Sequence, residues 1–72
     1  MNNLDLGLLR TLVTVEKTNT FSGAAAVLFK TQSAISQQLQ RLESQIGYPL
    51  FEKRGRQREL TAQGKHLAMC AR

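Results

Sequence analysis

The chain has 72 residues and a formal net charge of +5, so it forms one small domain whose core supplies only a few kcal/mol of stability. Its single cysteine excludes an internal disulfide, and the apolar run from Leu4 to Val15 carries charges and is too short to cross a bilayer. We therefore expect neither a secreted nor a membrane-spanning protein, and we expect it in the cytoplasm.

A first helix is predicted from about Asp5 to Lys17, because leucine and valine recur there at helical spacing and Asp5 suits the N-cap position. Residues 18–20 favour a turn, since their side chains compete for backbone hydrogen bonds. Ser22 is then expected to cap a short, alanine-rich second helix that runs through Leu28.

A third helix is predicted from Gln32 to about Ile46, with Thr31 as its cap and Gly47 as its end, after a break at residues 29–30. Its predicted buried stripe consists of Ile35, Leu39, Leu42 and Ile46. Its opposite face consists of Ser33, Gln37, Gln40 and Ser44.

A short hairpin is predicted next, starting near Leu50 and ending near Leu60, with Gly55 at a turn position that requires positive φ. Thr61 is expected to cap a fourth helix, in which Gly64 should be a weak point. Because the chain ends at residue 72, this helix is expected to pack on little else.

The two middle helices and the break between them are typical of a helix-turn-helix that binds DNA. No acidic residue occurs between Lys30 and Glu43, and the outward side chains are hydroxyls and amides that suit base edges in a major groove. The candidate contacts to bases and phosphates are Thr31, Gln32, Ser33, Ser36, Gln37 and Arg41. The alternative is an ordinary glutamine-rich solvent face.

Basic residues surround Gly55, and all of the net positive charge lies from Lys30 onward. This asymmetry is typical of a nucleic-acid-binding surface. Arg54 and Arg56 flank the predicted turn and could enter a minor groove or bind its phosphates. The alternative is a basic cluster that serves solubility.

The remaining chemistry of the chain is sparse. His66 and Cys70 could offer two ligands to a metal, but the chain has no other histidine or cysteine to complete a zinc site. Its few carboxylates are scattered, and no nucleophile has a base and an orienting group at a suitable spacing. We therefore expect no metal, no cofactor and no enzymatic activity.

The segment TQSAISQQLQRLESQIGYPLF and the following FEKRGRQRELTAQG resemble the N-terminal DNA-binding domain of LysR-type bacterial transcriptional regulators. The resemblance covers almost the whole chain, from Leu6 to the Leu60, Thr61 and Gly64 pattern. The TQSA run that begins at Thr31 and the basic Gly-Arg of the wing look most like the LrhA/HexA branch of that family.

The resemblance implies a mainly α domain with a small β-hairpin wing, that is, a winged helix-turn-helix over residues 1–61. The helix-turn-helix would occupy residues 21–40 and the wing residues 50–60, approximately. Residues 62–72 would begin a linker helix that forms a homodimer in the full-length protein and leads to a missing effector-binding domain, which senses a small molecule. Because only the start of that helix is present, a weak dimer or a monomer is expected for these 72 residues. Wing contacts would fall on Lys53, Arg54 and Arg56.

Two departures from the family pattern affect the wing. Lys53 stands where members usually have arginine, which makes bidentate contacts there less favourable. Arg58 replaces a residue that is often apolar and adds one cation for the DNA backbone.

The function expected is sequence-specific binding to double-stranded DNA, at an inverted repeat, by the third helix in the major groove. The rival interpretation is a small basic module that binds a protein partner through Leu67, Met69 and the first helix. RNA binding is less favoured, because Phe21, Phe29, Tyr48 and Phe51 are all assigned to core or turn positions.

Overall fold

A computed structural model describes residues 5–71, which form four helices and one antiparallel hairpin. This architecture confirms the predicted mainly α class with a β-hairpin wing. Residues 1–4 and Arg72, which the sequence interpretation included in the domain and the last helix, lie outside the described residues. The elements in chain order are α1 Leu6–Thr18, α2 Phe21–Leu28, α3 Gln32–Ile46, β1 Phe51–Arg54, β2 Gln57–Leu60 and α4 Ala62–Ala71.

The helix starts depend on side-chain caps, and one of the predicted caps was wrong. Asp5 caps α1 as expected, with Oδ1 accepting from the backbone N–H of Gly7 at 2.8 Å. For α2 the cap is Thr20 and not Ser22: the Gly23 N–H donates to Thr20 Oγ1 at 2.8 Å. The backbone of Thr20 is extended, whereas Ser22 already lies inside the helix, so only Thr20 has the geometry of a cap.

The turn between α2 and α3 follows the prediction in position. Phe29 adopts a left-handed conformation with φ of 57°, and the Lys30 N–H donates to the Ala25 carbonyl at 2.8 Å. Thr31 then caps α3 as predicted, accepting from the Ala34 N–H at 3.0 Å. The tight turn sets the angle at which α3 leaves α2.

The core lies where the helices and the base of the hairpin meet. Leu39 and Leu42 from the predicted stripe are fully buried, whereas Ile46 at its end is only partly buried. The largest fully buried side chains are Leu12, Ile35, Leu39, Leu42 and Leu50. Every helix contributes, since Ala24 of α2 and Ala68 of α4 are also buried.

The expectations for α4 were wrong in two respects. The helix packs against α1, with Ala68 in the core and Leu67 against it. Gly64 is buried, and a Cβ at this position would overlap the backbone of Leu50. The glycine therefore permits a close approach between α4 and the chain entering the hairpin, instead of being a weak point.

Candidate nucleic-acid interface

The outward face of α3 is polar and free of acid, as the sequence predicted. Ser33, Gln37, Gln40 and Ser44 are exposed along it, and Arg41 is exposed beside them. Gln32 and Thr31 are exposed at the N-terminal end of the helix. These side chains form one continuous surface that can donate and accept hydrogen bonds without repelling phosphate.

Ser36 differs from the other candidates on α3. Its side chain is only 7% exposed, and Oγ is buried with no hydrogen-bond partner among the described residues. In this conformation the hydroxyl does not reach a base edge. A buried hydroxyl without a hydrogen-bond partner lowers the stability of the fold, so the buried position of Ser36 Oγ is unusual.

Glu43, the acid that ends the acid-free stretch, fixes the wing to α3. Its Oε2 accepts from the backbone N–H groups of Leu50 and Phe51, at 2.8 and 3.3 Å. The Phe51 ring in turn lies 5.4 Å from the Phe21 ring of α2, measured between centroids. The sequence interpretation missed this role, because nothing local links Glu43 to a strand that begins eight residues later.

The wing is a hairpin of two four-residue strands joined by a two-residue turn. Gly55 has φ of 59°, as predicted, and Arg56 beside it has no positive φ, which is the pattern of a type II′ turn. The register pairs Lys53 with Arg58 and Glu52 with Glu59.

This register divides the charged wing residues between two faces, because side chains alternate along a strand. Phe51 and Leu60 pack on the core, so Lys53 and Arg58 share the face that turns toward the helices. Arg54 lies on the opposite face with two glutamates. Its Nε is 3.8 Å from both Glu52 Oε2 and Glu59 Oε1.

The three predicted wing contacts are all exposed, but they differ in whether a carboxylate lies beside the cation. Lys53 and Arg56 are exposed without a carboxylate partner within the described residues, whereas the charge of Arg54 is offset by its two neighbours. Arg58, which the sequence indicated as one more cation for the DNA backbone, shares the face of Lys53.

His66 and Cys70, the two candidate metal ligands, both lie on α4. His66 Nε2 and Cys70 Sγ lie 3.7 Å apart on the exposed side of α4. Within residues 5–71, no group of three or more potential metal-ligating side chains comes together. None of the helices in the described part of the chain is long and apolar enough to cross a membrane.

Two aromatic residues are exposed, contrary to the expectation that weighed against RNA binding. Phe29 does lie in a turn, but its side chain is 95% exposed. Tyr48 is also exposed, at 41%. Exposed aromatic rings that could stack on bases are therefore present, so RNA has to be tested as a competitor.

A helix-turn-helix followed by a basic hairpin that is held on the third helix defines a winged helix-turn-helix domain. Residues 6–65 match the profile of the family described as bacterial regulatory helix-turn-helix protein, lysR family. The chain therefore belongs to the LysR family, as the resemblance predicted.

Curated relatives match over most of this chain but only over a small part of their own length. The transcriptional regulator PecT of Dickeya dadantii is 56% identical over 62 residues, which cover 86% of this chain and 20% of PecT. The transcriptional activator AllS of Klebsiella pneumoniae is 43% identical over 72 residues, which cover 100% of this chain and 27% of AllS. The chain thus spans about a fifth to a quarter of these regulators. The LrhA/HexA branch is not confirmed by these similarities.

Solved structures show the same fold. The BenM DNA-binding domain, in a complex with catB site 1 DNA, has a TM-score of 0.79 and 33% sequence identity, covering 93% of this chain and 72% of that chain. The oxidized form of OxyR from Corynebacterium glutamicum has a TM-score of 0.81 and 35% identity, covering 96% of this chain and 22% of OxyR.

Proposed function

We propose that this chain is the DNA-binding part of a transcriptional regulator, which reads double-stranded DNA with α3 in the major groove and with the wing at the adjacent minor groove. The observation that carries the proposal is the exposed, acid-free face of α3 beside a basic wing. The likeness to the BenM domain, which was solved with DNA, supports it.

The proposed base contacts are Gln32, Ser33 and Gln37, because they are exposed near the N-terminal end of α3, the end that usually enters the groove. Thr31 and Arg41 are proposed as phosphate contacts. Ser36 joins them only if its hydroxyl rotates outward on binding, which would relieve its unpartnered state. The proposed wing contacts are Lys53, Arg54 and Arg56. Arg54 lies beside two glutamates, and variants at Arg54 and Arg56 are tested below.

The first experiment is selection of bound duplexes from a randomised pool, followed by salt titration on the enriched site. We expect an enriched motif and a steep loss of affinity with salt, since cations on phosphates release counterions. Single-stranded RNA serves as the competitor. Binding that is insensitive to salt would instead favour the module that binds a protein partner.

Two variants separate reading of bases from binding of the backbone. Gln32→Ala should weaken binding to the enriched site more than to random duplex, whereas Arg56→Ala should weaken both and reduce the salt slope by about 1. Equal losses on both duplexes for Gln32→Ala would remove that residue from the base contacts.

We further propose that residues 1–61 form the DNA-binding domain and that α4 begins a linker helix through which two copies form a homodimer on an inverted repeat. An apolar groove between α1 and α4 supports this assignment. Its apolar lining is Leu6, Leu9, Val13 and Ala71, and Arg10, Thr14 and Lys17 complete its walls. Analytical ultracentrifugation with and without an inverted-repeat duplex tests it, and a 1:1 complex at saturation would contradict it.

The remaining assignments concern the longer protein. We propose a cytoplasmic, nucleoid-associated regulator whose small-molecule effector binds a domain outside these residues, as the greater length of the relatives suggests. The relatives are named as regulators, so we propose no enzymatic role and no cofactor for this part of the chain.

A further inference from the structure

A cleft of about 240 Å³ separates the wing from the start of α2. We name it the wing cleft. Its walls come from three places that are distant in sequence: the turn between α1 and α2, the first residue of α3, and the end of the hairpin. Its polar lining includes Asn19, Thr20, Ser22, Gln32, Arg56 and Arg58.

The wing cleft has the chemistry of an anion site. Among residues 5–71, two arginines line it and no carboxylate does, and its other polar groups include hydroxyls and amides that can donate to an oxygen. Guanidinium groups bind phosphate through paired donors, which makes arginine the preferred residue for such a site.

A neighbouring cleft differs in its charged groups. Arg58 and Asn19 also line that cleft, together with Lys65, but Glu16 and Glu59 lie there too. Two acids balance the two cations in that cleft, so a phosphate would gain little from entering it. The charges therefore favour the wing cleft as the place where Arg58 meets an anion.

The two faces of the wing also differ in net charge. The outward face carries Arg54 with Glu52 and Glu59, a net charge of −1, and Arg54 lies within 3.8 Å of both acids. The face toward the helices carries Lys53 and Arg58, a net charge of +2. An approaching polyanion is attracted by the second face and not by the first.

We infer that the wing cleft binds one backbone phosphate of the DNA strand that passes between the groove of α3 and the groove of the wing. Arg58 and Arg56 are its cationic ligands, with Ser22 and Asn19 as neutral donors. Arg54, although it flanks the turn, contributes little to phosphate binding. This inference rests on the proposed DNA-binding function. It favours Arg58 over Arg54 as a phosphate ligand, although Arg54 lies closer to the turn in the sequence.

The test compares Arg58→Gln with Arg54→Gln, two changes of equal charge on opposite faces of one hairpin. Both residues are exposed, so both variants should fold, and circular dichroism checks this. Affinity for a fixed duplex is measured by fluorescence anisotropy over a range of salt. Any duplex serves, because backbone binding does not depend on sequence.

Arg58→Gln should reduce the slope of log affinity against log salt by up to about 0.9, the value for complete loss of the one phosphate contact that Arg58 shares with Arg56. If the salt lines converge at about 1 M, that upper value corresponds to an affinity loss of about 15-fold at roughly 50 mM salt and about fivefold at roughly 150 mM. Arg54→Gln should leave the slope within about 0.3 of the parent value.

An unchanged slope for Arg58→Gln, or equal losses for the two variants, would overturn the inference while the parent chain still binds DNA. Failure of the parent chain to bind duplex in a salt-dependent way would overturn the proposed function, and this inference with it. A second arm uses Ser22→Ala, which should weaken binding without changing the slope, since it removes a neutral donor. A slope change for Ser22→Ala would contradict its assigned role.

Discussion

Replacing Gly64 by alanine should destabilise the protein, although helix propensity alone predicts that it stabilises the protein. In an exposed helix this change would stabilise the protein by about 1 kcal/mol. In this fold a Cβ at position 64 would lie 3.0 Å from the carbonyl carbon of Leu50 and 3.3 Å from its Cα, and closer still to the carbonyl oxygen. All three are backbone atoms of a buried residue, so rotation of a side chain cannot relieve the overlap.

The size of the stability loss follows from the displacement of α4 that the added Cβ requires. Overpacking of this kind costs about 1–3 kcal/mol. Moving α4 away also strains the two hydrogen bonds of Thr61, from its N–H to the Leu50 carbonyl and from Oγ1 to the Pro49 carbonyl, both at 2.9 Å. Each is worth about 0.5–1.5 kcal/mol. After the gain in helix propensity, we expect a net loss of about 2–3 kcal/mol in the free energy of unfolding.

Urea denaturation followed by circular dichroism measures this loss, and thermal unfolding should show a fall of roughly 10–20 °C in Tm for a domain of this size. The matched control is Gln63→Ala on the exposed neighbouring position, which should stay within about 0.5 kcal/mol of the parent. A Gly64→Ala chain that is as stable as the parent, or more stable, would refute the close approach of α4 to Leu50.

Three further substitutions test contacts that the tertiary structure revealed, each by urea denaturation. Thr20→Ala should lose about 1 kcal/mol, because Thr20 caps α2, while Ser22→Ala should lose much less; the reverse order would contradict the cap. Glu43→Ala should lose about 1.5–3 kcal/mol, because the N–H groups of Leu50 and Phe51 lose a charged acceptor. Ser44→Ala on the exposed face is its control, and a loss no larger than that of Ser44→Ala would argue against attachment of the wing through Glu43. Ser36→Ala should be neutral or stabilising by up to about 1 kcal/mol, since its Oγ has no hydrogen-bond partner within residues 5–71; a clear destabilisation would mean that the hydroxyl has a partner in solution.

Local signals in the sequence were sufficient for most of the fold. The caps at Asp5 and Thr31, the end of α3 at Gly47 and the turn at Gly55 all depend on residues within four positions along the chain. Helical periodicity likewise identified the buried stripe of α3, and the absence of acid between Lys30 and Glu43 identified the candidate binding face. The likeness to LysR regulators needed no more than these contiguous residues.

The tertiary structure decided which of several chemically similar residues has a given role. Ser22 and Thr20 are both hydroxyls near the start of α2, and only the extended backbone of Thr20 makes it the cap. Gly64 differs from an ordinary helix glycine only through its contact with Leu50.

Arg54 and Arg58 are both arginines near Gly55, and the hairpin register places one beside two glutamates and the other on the wing cleft. These distinctions depend on distances between residues that are remote in sequence, and a local pattern carries no information about such distances. The sequence by itself therefore determined the elements and the family, while the packing of the wing on the helices determined which wing arginine lies beside glutamates and which lines the wing cleft.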